Sequence, residues 1–331
     1  MISTQQVQER RLDELLKRQL GPRILAAIAD PQITEIIVNE DGRLWFESYG
    51  SGMREAGLTL APSQVESLIG TVAASLGTVA NGANPIIEGE LPIAAIRFEG
   101  LLPPVARKPC CVMRKPAQVL YTLNDYVRDQ ILSEAHGDVL RSAVDQRRNI
   151  VIAGGTGSGK TTLAGALINE MVERSDPNER YVIIEDTLEI QCRAKNLAQL
   201  HTAEGADMTR LVRTTMRLRP DRIIIGEVRG AEALALLKAW NTGHPGGVTT
   251  LHANSASGAL LRLLSLVEEA GVPAQPQLIA EAVNLLAFME RTSITGRRLT
   301  ELVHVEGYSQ TPVSNLRQQF SRRSQHHVAR L

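Results

Sequence analysis

Residues 150–170, IVIAGGTGSGKTTLAGALINE, pass from an apolar run through a glycine-rich turn to a lysine and two threonines, then into a second apolar stretch. Gly154, Gly159, Lys160 and Thr161 satisfy G-x-x-x-x-G-K-[ST]; Gly155, Thr156, Gly157 and Ser158 fill the interval, and Thr162 follows. Glycines at this spacing let successive backbone N–H groups turn inward around phosphate oxygens, and the N-terminus of the next helix adds partial positive charge. Lys160 would reach the β and γ phosphates, and the Thr161 hydroxyl would hold Mg²⁺. An apolar strand pattern before the loop and a helix pattern after it separate a phosphate site from a chance match. The loop alone does not distinguish a kinase, a GTP switch and an ATP motor.

Three further segments carry polar groups suited to the same chemistry. RIIIGEVRG, residues 222–230, reads as a buried strand with Glu227 at its carboxyl end, where ligands of open α/β sheets sit. Gly226 stands where an acid usually precedes the glutamate, so Glu227 is expected to polarise water rather than bind metal. YVIIEDTLEI, residues 181–190, ends another apolar run in Glu185 and Asp186, adjacent carboxylates able to position Mg²⁺, with helix capping as the plainer alternative. NTGHPGGVTTLHANSA, residues 241–256, places His244 before a glycine turn and His252 at a strand end. Their separation is not that of a zinc pair on one helix face; a neutral imidazole could instead bond the γ-phosphate or its water. Arg210, Arg213 and Arg217 fall on one helical stripe after an expected Asp207 cap, ordinarily a solvated face and in an oligomer a source of arginine fingers.

The pattern predicts two domains. Over 1–118, a helix broken at Gly21-Pro22, a hairpin turning at Asp41-Gly42 in a primed turn, a helix after Pro62 and strands within PIAAIRFEG and PCCVMRKP make a small α+β unit. Over 119–306, strand and helix patterns alternate from NIVIAG onward, predicting a parallel sheet covered on both faces. LLAFMERTSITGRRLTELVHVEGY reads as antiparallel edge strands, and the acid-free residues 307–331 as a disordered basic tail.

Lysine plus arginine and aspartate plus glutamate both number 36 in 331 residues, so net charge gives no general case for nucleic acid or anionic membrane. The three cysteines form neither a disulfide framework nor a CxxC zinc spacing, which suits a reducing cytosol. No run approaches 18 apolar residues and MISTQQVQERR holds no signal core, so a soluble or peripheral protein is expected.

Taken together, GGTGSGKTT, VIIEDTLEI, LRPDRIIIGEVRGAEA and NTGHPGGVTTLHANS resemble, in order, the Walker A, aspartate box, Walker B and histidine box of the secretion traffic ATPases that drive type II and type IV secretion, pilus dynamics and conjugation. IRFEGLLPPVARKPCCVMRKP is similar to part of that superfamily's N-terminal domain. No tetracysteine insert of the type II assembly motors and no AIRNLIRE-like helix of the retraction motors is present, which leaves the conjugative-transfer branch, kin to the type IV secretion ATPases. The resemblance implies a RecA-like P-loop ATPase domain behind a smaller α+β domain, ATP and Mg²⁺ as cofactors, and a homo-oligomer, usually a hexamer, cytoplasmic and peripheral at the inner membrane. It also implies inner-membrane partners of a type IV secretion apparatus, without sequence-specific nucleic-acid binding. Residue by residue, it assigns the phosphate loop from Gly154 to Thr162, metal and water positioning to Glu185 and Asp186, the base to Glu227, a coupling box to His244 and His252, and phosphate-approaching arginines to Arg97 and Arg114. A RecA-like nucleic-acid motor and a nucleotide-gated scaffold are the alternatives; no NKxD guanine-reading motif supports a GTP switch.

Overall fold

The first helix, α1 (Thr4–Ala29), breaks into two segments because Gly21 adopts φ 69°, ψ 169° and Pro22 lacks an amide hydrogen. The computed structural model describes residues 4–48, 52–93, 96–116, 121–292, 296–307 and 327–329, and the chain divides into two compact units, 1–119 and 120–331.

In the first unit, α1 is followed by β1 (Ile33–Val38), β2 (Arg43–Ser48), β3 (Gly52–Thr59), α2 (Pro62–Ser75), β4 (Ile86–Leu91), β5 (Ile96–Leu101) and β6 (Cys110–Arg114). The strands form one sheet in the order β3-β2-β1-β6-β5-β4. Leu16, Leu20 and Ile24 of α1 and Val65, Leu68, Ile69 and Val72 of α2 recur at helical spacing and close over Ile36, Phe46, Phe98 and Met113 of the sheet. Buried Lys115 caps the end of α1, its Nζ donating to the carbonyls of Ala27 (3.2 Å) and Asp30 (2.5 Å). The β1–β2 hairpin departs from the primed turn expected at Asp41-Gly42. Gly42 N–H donates to the Asn39 carbonyl (2.8 Å), Glu40 and Asp41 are the central residues, and Gly42 alone turns left-handed, at φ 81°. A Cβ on Gly42 would sit 2.2 Å from the Leu60 carbonyl, which fixes glycine there.

The second unit runs α3 (Leu123–Arg128), α4 (Glu134–Asp145), β7 (Ile150–Gly154), α5 (Lys160–Arg174), β8 (Arg180–Glu185), β9 (Asn196–His201), α6 (Met208–Thr215), β10 (Arg222–Ile225), α7 (Glu232–Asn241), β11 (Val248–His252), α8 (Ala256–Glu268), α9 (Pro276–Ala282), β12 (Leu285–Thr292), β13 (Gly296–Val305) and β14 (His327–Ala329). Its sheet has the order β14-β13-β12-β7-β11-β10-β8-β9 and is parallel from β12 through β9. Alternate strand residues point to opposite cores. Val151, Val182, Ile184, Ile223 and Ile225 meet α6, α7, α8 and α9, while Ile150, Ile152, Ile183 and Ile224 meet α3, α4 and α5. Burial on both faces explains why these strands are continuously apolar rather than alternating.

Two expectations are corrected here. β12 is not an edge strand: it lies parallel beside β7, and only its partner β13 runs antiparallel. Residues 327–329 of the expected tail form a short strand parallel to β13; most of that tail, 308–326 and 330–331, lies outside the described residues.

The amino ends of the parallel strands are closed by buried polar groups. Arg222, 2% exposed, donates to Glu179 Oε2 (2.7 Å), Ser175 Oγ (2.7 Å) and the Gly246 carbonyl (3.1 Å), and Arg147 shares Glu179. Asn149 Oδ1 accepts from the N–H groups of Gly246 (2.8 Å) and Gly247 (3.0 Å). The carboxyl ends carry the loops that hold the site.

Candidate active site

β7 delivers the chain into the phosphate loop, and α5 begins at Lys160. The loop turns at Gly157 (φ 70°) and Gly159 (φ 93°), conformations that cost a side-chain-bearing residue strain. Lys160 is 7% exposed; its Nζ donates to the Gly155 carbonyl (2.9 Å) and lies 3.4 Å from His252 Nδ1.

From there a row of polar groups crosses the carboxyl ends of the strands. Parallel pairing sets His252 opposite Gly154, so the imidazole stands beside the loop. Its Nε2 lies 3.0 Å from Glu227 Oε1. Arg229 binds the other oxygen, Glu227 Oε2, through Nη2 (2.7 Å) and Nε (3.1 Å), and its Nη1 is 3.4 Å from Asp186 Oδ2. The strand order β7-β11-β10-β8 thus becomes the residue order Lys160, His252, Glu227, Arg229, Asp186. Backbone and side-chain bonds stiffen the row: Thr250 Oγ1 donates to the Gly226 carbonyl (2.8 Å), Val228 N–H to the Thr250 carbonyl (2.9 Å), and Glu232 Oε1 accepts from Arg229 N–H (2.5 Å) and Gly230 N–H (2.8 Å).

Burial, foremost, and then the charge of Lys160 hold the His252 pKa below its ordinary 6.5, against the opposing pull of Glu227. A neutral ring suits the Lys160 contact, because Nδ1 can then accept from the ammonium. Because the folded protein disfavours the imidazolium, His252 lowers stability as pH falls through 6.5 and adds no further loss below its own folded pKa. An NMR titration of the ring is expected to give a midpoint below 6.5, moving upward in Lys160→Ala; an unmoved midpoint would contradict the contact.

Glu185 explains the glycine at 226. Its carboxylate is 3% exposed, and Oε1 accepts from the N–H groups of Glu189 (3.0 Å) and Ile190 (3.0 Å), tying down the chain that follows Asp186. A Cβ on Gly226 would lie 3.0 Å from Glu185 Cγ, so the space an acid would need there is taken by another carboxylate. Gly226→Ala is expected to destabilise the protein by about 1–3 kcal/mol, the cost of overpacking, read as a lower urea midpoint with an unchanged slope.

The structure separates some residues that the motif groups together. His244 precedes β11 at the closed end of the sheet, with Nδ1 3.3 Å from the Ala239 carbonyl. β11 runs from Val248 to His252 itself, a rise of about 13 Å over its four steps at 3.3 Å per residue. That places His244 before the amino end of β11 and His252 at its carboxyl end, opposite Gly154. Arg97 and Arg114 belong to the first unit, where they face each other across β5 and β6, and Arg114 lies 3.6 Å from Glu35 on β1. Arg210 N–H is bonded to Asp207 (2.7 Å), the expected cap, and Arg210 Nη1 turns back onto the Gly205 carbonyl (2.5 Å). Sequence reasoning passed over Arg229; its only signal was its place two residues beyond Glu227.

The Thr161 hydroxyl at the phosphate loop and the carboxylates at the end of β8, three strands away in the sheet order, are hard oxygens. They suit Mg²⁺, which takes few protein ligands and completes its shell with phosphate and water.

The model of the type II/IV secretion system protein family matches residues 87–311. The chain belongs to that family. It is 51% identical over 298 residues to the conjugal transfer protein TrbB of Rhizobium radiobacter, covering 90% of this chain and 91% of that one. It is 31% identical over 313 residues to the type IV secretion system protein PtlH of Bordetella pertussis, covering 83% and 91%. The Legionella pneumophila ATPase DotB shares the fold, with a TM-score of 0.62 at 21% identity over 85% of this chain and 79% of that one. As a secretion ATPase family member, the chain is a nucleotide-binding α/β protein with a RecA-like domain behind a smaller N-terminal one. Among the described residues no helix is long and apolar enough to cross a membrane.

Proposed function

We propose that this chain hydrolyses ATP to ADP and phosphate as a hexameric ring, and that hydrolysis energises conjugative transfer through a type IV secretion apparatus. The observation that carries the reading is the row from Lys160 through His252 and Glu227 to Arg229 and Asp186, in which contacts link a carboxylate, the one this reading takes as the base, to the lysine of the phosphate loop. A protein that only sensed nucleotide would have no use for that carboxylate. The names of the relatives above support conjugation and type IV secretion as the setting, and the partners we propose are inner-membrane components of that machinery.

In this reading the loop's N–H groups and Lys160 hold the β and γ phosphates, and Lys160 exchanges the Gly155 carbonyl for phosphate oxygen. Glu227 takes a proton from the attacking water as its oxygen bonds to the γ phosphorus and the bridging oxygen leaves with ADP. Arg229 grips one oxygen of Glu227 and so aims the other toward the loop, while His252 couples that oxygen to Lys160. Thr161 and Asp186 would hold Mg²⁺, with Glu185 fixing the strand end from which Asp186 projects; bound there, the metal neutralises charge on the phosphate oxygens. Arg97 and Arg114 are proposed to approach the phosphates.

The deciding experiment follows ATP hydrolysis against protein concentration, with mass measured by light scattering. Turnover that rises with a six-subunit species is expected. Turnover from a monomer, or stimulation by single-stranded DNA that disappears with added salt, would replace the ring motor with a nucleic-acid motor.

A further inference from the structure

A glycine-rich loop binds phosphate only while its peptide planes keep their N–H groups facing inward, and glycine offers the least resistance to a plane flipping over. Something must therefore hold the plane that joins Gly157, at φ 70°, to Ser158. In a trans peptide the carbonyl of one residue and the N–H of the next point in opposite directions, so fixing the Gly157 carbonyl fixes the Ser158 N–H.

The hairpin of β12 and β13 supplies the hold. Arg297 Nε donates to the Gly157 carbonyl at 3.0 Å, across 140 residues of sequence. Its stem packs on the loop's other left-handed glycine, where a Cβ on Gly159 would lie 3.2 Å from Arg297 Cδ. Arg291, paired with Arg297 in the β12–β13 register, brings its Nη1 to 3.2 Å from the Cβ position of Gly157. The Ser158 N–H meanwhile points across the loop toward the Gly155 carbonyl, 3.4 Å away, the same oxygen that receives Lys160. Neither arginine belongs to a strand that contributes to the row of catalytic groups.

From this geometry we infer that Arg297 is a positioning residue for nucleotide binding: it pins the Gly157–Ser158 peptide through the Gly157 carbonyl and so keeps the Ser158 N–H turned across the loop, where it leaves the Gly155 carbonyl for phosphate together with Lys160, with Arg291 as a second cation beside the same glycine. The inference rests on the reading of the loop as an ATP site. Because Arg297 acts on the loop before chemistry begins, its loss raises KM and leaves kcat in place.

The test measures steady-state ATP hydrolysis and the affinity of a fluorescent, non-hydrolysable ATP analogue for the full chain, its Arg297→Ala and Arg297→Lys variants, and Lys160→Ala as a control. Arg297→Ala is expected to weaken analogue binding and raise KM about tenfold, the size of one charge-assisted hydrogen bond, with kcat within about twofold. Arg297→Lys keeps a donor able to reach the carbonyl and is expected to recover at least half of the lost affinity on a logarithmic scale. A Lys that fails to rescue, or an Ala that leaves KM unchanged, overturns the inference. If Arg297→Ala does not fold by circular dichroism, Arg297→Gln replaces it with the same expectations. Should the parent itself neither bind the analogue nor exceed Lys160→Ala in turnover, the ATP reading fails instead.

Discussion

Glu227→Gln is expected to lower kcat by about 10²–10⁴, the range lost with a general base, while binding of ATP stays within about threefold because the side chain makes no ground-state contact that the amide cannot mimic in size. The two oxygens of Glu227 have separate duties, which is why the neutral isostere is informative. Oε2 is committed to Arg229 at 2.7 and 3.1 Å, and Oε1 faces His252 at 3.0 Å. An amide can accept from Arg229 with its oxygen, but the NH₂ that then stands in place of Oε1 has no lone pair to take a proton from water. Phosphate release under saturating ATP measures the loss, and a fluorescent ATP analogue measures the binding. Arg229→Ala should fall between: the carboxylate remains but loses its bidentate hold, so kcat drops by less than in Glu227→Gln. Full turnover in Glu227→Gln would remove that residue from the base's role.

The parts of this site differ in how visibly they are written in the chain. The phosphate loop, Glu185, Asp186, Glu227 and His252 could be picked out because each closes an apolar run, and in a parallel sheet every run ends at the same edge. The central strands were legible for the same reason: burial on both faces makes them continuously apolar. Edge strands lack that pressure. In β3, GMREAGLT, only Ala56 is buried, and its glycines and charges read as loop. β9, NLAQLH, has no buried residue at all. The seven-residue α9 is too short to show a helical period. β12 did carry a signal that was misread: its first five residues, LLAFM, are all buried, which marks a strand flanked on both sides rather than an edge. What no local pattern can show is contact between distant segments. Arg297 against Gly157 spans 140 residues, and the close approach of Glu185 Cγ to the Cβ position of Gly226, 3.0 Å, depends on where the Glu185 side chain turns. His244 shows the converse. It belongs to the same short motif as His252, yet a strand runs between them, and motif proximity became separation across the sheet.

Lys160→Ala is expected to abolish measurable turnover and to remove most of the affinity for ATP, with kcat/KM reduced by at least about 10²–10³, as when one preorganised donor to a developing charge is deleted. The expectation comes from the position of the ammonium. Lys160 is almost completely buried, it ends between the Gly155 carbonyl inside the loop and His252 Nδ1, and it is the one lysine in the row. Removing it deletes a charge-assisted bond to phosphate and also takes away the donor that orients His252, so binding and chemistry both suffer. The fold should not. The first turn of α5 keeps its backbone bonds, including Leu163 N–H to the Gly159 carbonyl at 2.9 Å, and alanine is a good helix former. Thermal unfolding separates the two consequences. A ligand that binds only the native state raises Tm by mass action, so saturating ATP should shift the parent and leave Lys160→Ala unmoved, the two proteins otherwise melting within a few degrees of each other. A variant that keeps the ATP-induced shift but loses turnover would show that the loop's backbone supplies the affinity and that Lys160 acts only as charge develops on the leaving phosphate.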